Sequence, residues 1–165
     1  MRLVRRLDLK APLDIGELCA RLGDQRGRPI RVLPMTARPT DPSGIWLATD
    51  AADYVFYEQN TSRLHREHII LHEIGHLLLE HSGGVVLTDT TAQLLMPDLD
   101  PTHVRRTLTR SNYSDAEEQE AELFASLVMS ETGFAVAAGS VPPPPEEMTE
   151  SLRRIWSVLG SPERG

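Results

Sequence analysis

The stretch RLHREHIILHEIGHLLLEH, residues 63–81, carries the longest clear helical pattern of the chain and a pair of histidines at helical spacing. His72 and His76 are four residues apart, so on a helix both imidazoles lie on one face and can reach the same metal ion. Glu73 directly follows the first histidine, where H-E-x-x-H sites place the general base that acts on a metal-bound water. The pattern therefore predicts His72 and His76 as zinc ligands and Glu73 as the base.

A third ligand has to come from another part of the chain. His68 and Glu80 extend the stripe of His72 and His76 at four-residue steps, but residues eight apart on a helix are separated by roughly 12 Å along its axis. Three side chains placed in this way cannot converge on one ion, which leaves His68 as a neighbour of the site or a surface residue. His81 stands at the expected end of the helix, where we predict that it caps the C-terminus.

A second strong helix is predicted over residues 114–131, with Ser114 or Asp115 as its N-cap. This helix offers a dense supply of carboxylates, and both Glu117 and Glu118 project near its N-terminal end. A carboxylate that points into a protein core needs a partner, and a cation supplies one. Spacing alone does not choose between Glu117 and Glu118, and a solvated acidic face is the alternative for both.

The remaining elements are shorter. An amphipathic helix is predicted over residues 13–22, with Gly23 as its stop. Three β-rich runs follow along the chain, at residues 30–35, 44–49 and 53–58. The last two runs are close enough to form a hairpin, and the helix that carries the histidines is expected over 60–81. Together these elements predict an α+β fold in which a small antiparallel three-stranded sheet packs with helices.

Composition limits the function classes. The chain has 165 residues, the length of one ordinary domain, and a net charge of −7. A chain with this charge is not expected to bind the phosphates of nucleic acid. One cysteine, Cys19, cannot form an internal disulfide, and no apolar run has the length of a signal peptide or a membrane span. We therefore expect a cytoplasmic protein that contacts neither nucleic acid nor membrane directly.

The C-terminal part of the chain differs in composition from the rest. Residues 135–145 are rich in Ala, Gly and Pro and close with four consecutive prolines, which predicts a linker. The linker separates a domain at residues 1–134 from a C-terminal helix and tail at residues 146–165.

Two segments resemble a known family. HEIGHLLL at residues 72–79 resembles the H-E-x-G-H-x-x-L signature of the ImmA/IrrE family of small zinc metallopeptidases. EQEAELFA at residues 118–125 is similar to the second motif of that family, E-x-E-A-N/D-x-F-A, and the Leu-Val-Met that follows is similar to its L-L-M. The resemblance spans residues 13–131 and implies that residues 1–134 form a zincin-like metallopeptidase domain, with the active-site helix followed by a glutamate helix.

The resemblance also implies the roles of individual residues. One zinc ion per chain would be held by His72, His76 and Glu118, with Glu73 as general base for a zinc-activated water. Glu122 stands where the family has Asn or Asp, and its carboxylate would orient a ligating histidine. The implied function is that of a regulatory zinc-dependent metalloendopeptidase that cleaves a helix-turn-helix transcriptional repressor and so induces stress, phage or mobile-element genes.

Two other functions stay open. The chain could be a non-catalytic zinc-containing binding module that regulates a partner protein by association, or it could hydrolyse a small amide or peptide. The intact Glu73 argues against a binding module, because a structural zinc site closes its fourth position with protein and needs no base. Tyr113, just before the second helix, is a candidate for stabilising an oxyanion, with a core or surface role as the alternative.

Overall fold

The computed structural model describes residues 7, 9–37, 39, 42–48, 52–81, 85–86 and 113–132. Within this part of the chain the fold is α+β, with three helices and a small mixed sheet. In chain order the elements are α1 (Ile15–Arg26), β1 (Ile30–Met35), β2 (Gly44–Ala48), β3 (Asp53–Glu58), α2 (Arg63–Leu78), β4 (Val85–Val86) and α3 (Asp115–Glu131). The linker predicted at 135–145 and the helix and tail predicted at 146–165 lie outside the described residues.

Each helix begins at a polar N-cap. The side chains of Asp14, Ser62 and Ser114 accept a hydrogen bond from a backbone N–H in the first turn of α1, α2 and α3 respectively. Such caps satisfy backbone donors that have no partner within the helix. The predicted starts of all three helices are therefore close to the observed ones.

The C-terminal ends of α1 and α2 differ from the prediction. Helix α1 continues through Gly23 and ends at Arg26, and its C-cap Gly27 adopts the left-handed conformation with φ of 67°. Helix α2 ends at Leu78, three residues before the expected end, because Glu80 adopts a left-handed conformation with φ of 55°. A left-handed residue just after a helix turns the chain back across its last turn.

The strand order is β1-β3-β2-β4. Strands β2 and β3 pair antiparallel, as expected for the predicted hairpin, and Trp46 lies opposite Val55. Strands β1 and β3 pair parallel, with Val32 beside Val55, so the prediction of a wholly antiparallel sheet is wrong. Successive strands do reverse direction, but β3 inserts between β1 and β2 instead of adding at the edge. The two-residue strand β4 pairs parallel with β2 on its other side.

Asp53 explains why β3 occupies the central position. Its side chain is completely buried, and its carboxylate accepts hydrogen bonds from Arg28 Nε and Nη2, both at 2.9 Å, and from Trp46 Nε1 at 3.1 Å. A buried carboxylate without such partners is strongly destabilising. The start of β3 must therefore lie beside both Arg28, which precedes β1, and Trp46 of β2.

Helix α2 packs between the sheet and α3. Ile70 and Ile74 of α2 and Val55 of β3 are completely buried in one hydrophobic core. On the other side, a Cβ on Gly75 would lie only 3.1 Å from Cα of Ala121 in α3. The absent side chain therefore allows α2 and α3 to cross in close contact. No helix in the described part of the chain has both the length and the apolar character needed to cross a membrane.

Candidate metal centre

Helices α2 and α3 bring two imidazoles and a carboxylate to one point. The Nε2 atoms of His72 and His76 are 3.0 Å apart. Glu118 Oε2 lies 3.2 Å from His72 Nε2, and Glu118 Oε1 lies 3.8 Å from His76 Nε2. Among the described residues, these three form the one group of His, Cys, Asp or Glu side chains that could hold a metal ion.

The separations of these donor atoms fit a tetrahedral metal ion. Zinc bonds of about 2.0–2.2 Å at tetrahedral angles place neighbouring ligand atoms about 3.3–3.6 Å apart. The observed separations of 3.0, 3.2 and 3.8 Å lie around this value, with the last two measured from different oxygens of Glu118. One ligand atom from each of the three residues lies within 4.8 Å of the other two. Two imidazoles and one carboxylate also form a donor set that is typical of sites with a fourth, open coordination position.

The close helix crossing selects which glutamate approaches the histidines. Gly75 of α2 packs on Ala121 of α3, and Glu118 lies almost one turn before Ala121. Glu117 is engaged elsewhere: its Oε2 accepts hydrogen bonds from the backbone N–H and the hydroxyl of Ser114, at 2.8 and 2.9 Å. This capping box stabilises the start of α3 and leaves Glu118 at the histidine pair.

Glu73 is buried beside the three candidate ligands. Its side chain accepts a hydrogen bond from the backbone N–H of Trp46 in β2. Burial, together with the negative charge of Glu118, raises the pKa of Glu73 from 4.5 to about 8. Gly44 leaves room for this carboxyl group, since a Cβ there would lie 2.5 Å from Glu73 Oε1. A carboxyl group with a pKa near neutrality can both accept and return a proton.

His76 lies deepest of the three candidate ligands and is completely buried. Burial, and then the neighbouring imidazoles of His72 and His81, lower the pKa of His76 from 6.5 to about 3. The ring therefore stays neutral at physiological pH, which is the form that binds metals. The C-cap of α2 is Leu79 rather than the predicted His81, although the backbone N–H of His81 does donate to the His76 carbonyl at 3.1 Å.

The carboxylate of Glu122 lies on the opposite side of His72. Glu122 Oε2 is 2.9 Å from His68 Nε2 and 3.6 Å from His72 Nδ1. The hydrogen bond to His68 lowers the pKa of Glu122. The distance to His72 exceeds that of a hydrogen bond, so Glu122 acts on His72 as a nearby negative charge. His68 is thus a neighbour of the site, linked to it through Glu122.

Tyr113 covers the second histidine. Its ring stacks on His76 with the ring centroids 3.6 Å apart and the planes inclined by 14°. The buried hydroxyl has no hydrogen-bond partner among the described residues. Burial, and then the charges of Glu73 and Glu118, raise the pKa of Tyr113, so the hydroxyl stays protonated and can donate. The site opens into a cleft lined by His72, Glu73, His76, Tyr113 and Glu118, among others.

The structure thus brings together the four residues that the sequence analysis singled out, His72, Glu73, His76 and Glu118. The sequence pattern did not reveal the ring of His81 as a neighbour of His76, or the carboxylate of Glu120 as a partner of His81. His81 Nδ1 lies 2.8 Å from His76 Nδ1, and His81 Nε2 lies 3.2 Å from Glu120 Oε2. Helical spacing reveals neither contact, because the first depends on the turn at Glu80 and the second on how α3 packs beyond the end of α2.

Comparison of the chain with protein-family models, with curated proteins and with solved structures finds no match. The interpretation of the site therefore rests on its geometry and on the two motifs in the sequence.

Proposed function

We propose that this protein is a zinc-dependent metalloendopeptidase with a zincin-like domain, similar to the ImmA/IrrE family. The observation that carries the proposal is the convergence of His72, His76 and Glu118 at separations of 3.0–3.8 Å. Glu73, a buried carboxyl group with a raised pKa, lies beside these three side chains. Three metal ligands and a general base are the groups that zinc peptidases use to hydrolyse a peptide bond.

The residues divide the chemistry between them. His72, His76 and Glu118 would hold the zinc ion, which when bound would supply Lewis acidity for activating water and polarising a peptide carbonyl. Glu73 accepts a proton from the attacking water and later delivers it to the nitrogen of the leaving amine as the C–N bond breaks. Its buried position beside the three ligands supports both roles.

Tyr113 is proposed to stabilise the developing oxyanion. Its hydroxyl is protonated, buried and free of hydrogen-bond partners among the described residues. It lines the same cleft as Glu73 and Glu118, where a substrate carbonyl would lie. A hydrogen-bond donor that is already in position stabilises a transition state more than a donor in water does, because it needs no reorganisation during the reaction.

The substrate is proposed to be a helix-turn-helix transcriptional repressor, as the resemblance to the ImmA/IrrE family implies. The chain carries a net charge of −7, so an effect on gene expression through a protein substrate is favoured over direct binding to DNA. Cleavage of the repressor would induce the genes that it silences.

Zinc content and cleavage together test the proposal. The purified protein is expected to hold about one zinc ion per chain after dialysis, and Glu118→Ala is expected to lose it. The zinc-loaded protein is then incubated with a proteome-derived peptide library and with helix-turn-helix repressors encoded near its gene, and new N-termini are identified by mass spectrometry. Glu73→Gln should keep zinc and abolish cleavage, whereas Glu131→Gln, an exposed change at the end of α3, should keep both.

The outcomes separate the alternatives. Absence of zinc from the wild-type protein after reconstitution would show that the cluster is not a zinc site. Bound zinc with no cleavage of any library peptide or repressor would favour the non-catalytic binding module. Cleavage by Glu73→Gln at the wild-type rate would exclude Glu73 as the base.

A further inference from the structure

His81 is a buried histidine that the proposed chemistry does not use. It follows the left-handed residue Glu80, which turns the chain back over the last turn of α2. This turn places His81 Nδ1 2.8 Å from His76 Nδ1. The other ring nitrogen, His81 Nε2, lies 3.2 Å from Glu120 Oε2 of α3. The result is a row of three side chains that ends at the proposed metal ligand.

Donor and acceptor roles along this row are determined by one requirement. If His76 offers the Nε2 lone pair to a metal, its proton must be on Nδ1, which makes that atom a donor. His81 Nδ1 faces this donor and must therefore accept, so a neutral His81 carries its proton on Nε2. There it can donate to the carboxylate of Glu120. A doubly protonated His81 would instead direct N–H against N–H at the 2.8 Å contact.

We propose that His81 and Glu120 are positioning residues of the metal site, which hold His76 in its Nδ1–H tautomer and aim Nε2 at the metal. The inference rests on the proposed function only in taking His76 as a metal ligand, and it does not require that the site cleaves peptides. Partners of this kind orient ligating histidines and raise their basicity. In this chain the carboxylate acts through a second imidazole.

The solvent exposure of His81 and Glu120 agrees with their order in the row that leads from His76 to the surface. His81 is 8% exposed, so its ring nitrogens depend on protein partners rather than on water. Glu120 has a side chain that is 63% exposed, so its carboxylate forms the solvent-facing end of the row. The contact closer to the metal is the shorter and more deeply buried one, and we expect it to contribute more to metal affinity.

Zinc affinity, measured by competition with a chromophoric chelator, tests the proposal. His81→Leu removes the acceptor for His76, and the dissociation constant for zinc should rise by about 10–100-fold. His81→Asn places an amide oxygen near the position of Nδ1 and should recover most of that loss. Glu120→Ala should weaken binding less than His81→Leu does, and Glu131→Ala, at the far end of the same helix, should leave it unchanged.

The tautomers can also be observed directly. In the zinc-loaded wild-type protein, imidazole 15N chemical shifts should show the proton of His76 on Nδ1 and the proton of His81 on Nε2. A proton on Nδ1 of His81 would overturn the proposal.

Three results of the affinity measurement would overturn the proposal as well. They are an unchanged zinc affinity in His81→Leu, an equal loss in His81→Asn and His81→Leu, and an unchanged affinity in Glu120→Ala. Because Glu120 is exposed, its variant stays informative even if His81→Leu fails to fold. Failure of the proposed function is distinguishable, since it would appear as absence of zinc binding or cleavage in the wild-type protein itself.

Discussion

Glu73 should make the metal-free protein less stable as the pH rises. Its pKa is about 8 in the folded chain against 4.5 ordinarily, so between these values the folded state binds the extra proton and stability falls with increasing pH. His76 acts in another window: its pKa is lowered from 6.5 to about 3, so its contribution is lost only as the pH falls below 6.5. Above pH 6.5 the effect of Glu73 is therefore separated from that of His76.

Urea unfolding in the presence of a chelator measures this effect. From pH 6.5 to pH 8 the free energy of unfolding should fall by about 2 kcal/mol, since one pKa unit corresponds to about 1.4 kcal/mol. Glu73→Gln cannot ionise and should show a much flatter dependence over the same range. Parallel curves for the two proteins would contradict the raised pKa of Glu73.

The hydroxyl of Tyr113 should affect turnover more than substrate binding. Tyr113→Phe keeps the ring that stacks on His76 and removes the donor, so kcat is expected to fall by about 10²-fold with little change in KM or in zinc content. Steady-state kinetics on a cleaved peptide provides the measurement. Tyr54→Phe is a matched control, because Tyr54 is not among the residues that line the cleft. Equal kcat in the two variants would leave Tyr113 with a packing role only.

At the scale of the elements, the sequence was sufficient to predict where helices and strands form, but not how the strands are arranged in the sheet. Periodicity shows that residues 30–35 and 53–58 are strands, yet it carries no information about which strands are neighbours. The residue that specifies the order, Asp53, stands at a strand start where an aspartate normally indicates a turn. Only the burial of its carboxylate between Arg28 and Trp46 reveals its role.

The sequence likewise predicted some residues of the candidate site but not all of their contacts. The pair His72 and His76 follows from helical spacing alone, whereas the choice of Glu118 rested on the family resemblance. One local signal was available and unused: Ser114 and Glu117 form the S-x-x-E pattern of a capping box, which occupies Glu117 and leaves Glu118 as the candidate ligand. The contact of His81 with Glu120 had no such signal, because it joins the turn after α2 to α3, and periodicity does not describe how these two parts of the chain pack.

The approach of β2 to α2 should control the position of the base. A Cβ at position 44 would lie 2.5 Å from Glu73 Oε1 and 2.7 Å from Ile69 Cγ2, so Gly44→Ala must displace the carboxyl group. We expect cleavage to slow by about 10²-fold, the effect of a displacement of roughly 1 Å at a reacting group. Zinc affinity should be nearly unchanged, because the three ligands come from α2 and α3.

Cleavage rates and zinc affinities of Gly44→Ala and Ser43→Ala test this prediction. Ser43 is the exposed neighbour of Gly44, and its replacement adds no atom near Glu73. An unchanged cleavage rate in Gly44→Ala would show that Glu73 has room to move without loss of function. A large loss of zinc would instead show that β2 supports the ligands as well as the base.

For the molecule as a whole, bound zinc should join α2 and α3 and so stabilise the entire core. Cys19, the single cysteine of the chain, reports on this stability because it lies in the same core and is 4% exposed. Burial, and then the charge of Asp14, raise the pKa of the Cys19 thiol to about 12, so reaction with a maleimide at neutral pH requires opening of the fold.

Zinc at 100 times its dissociation constant adds about 2.7 kcal/mol to the free energy of unfolding. If labelling of Cys19 proceeds through global unfolding, zinc should therefore slow it by about 100-fold relative to the chelator-treated protein. Mass spectrometry of the modified chain measures the rate. Glu118→Ala, which lacks one ligand, should label at nearly the same rate with and without zinc. If zinc slowed labelling equally in both proteins, the metal would act outside the His72, His76 and Glu118 cluster. If it slowed neither, Cys19 would become accessible through a local opening of α1 that leaves the contact between α2 and α3 intact.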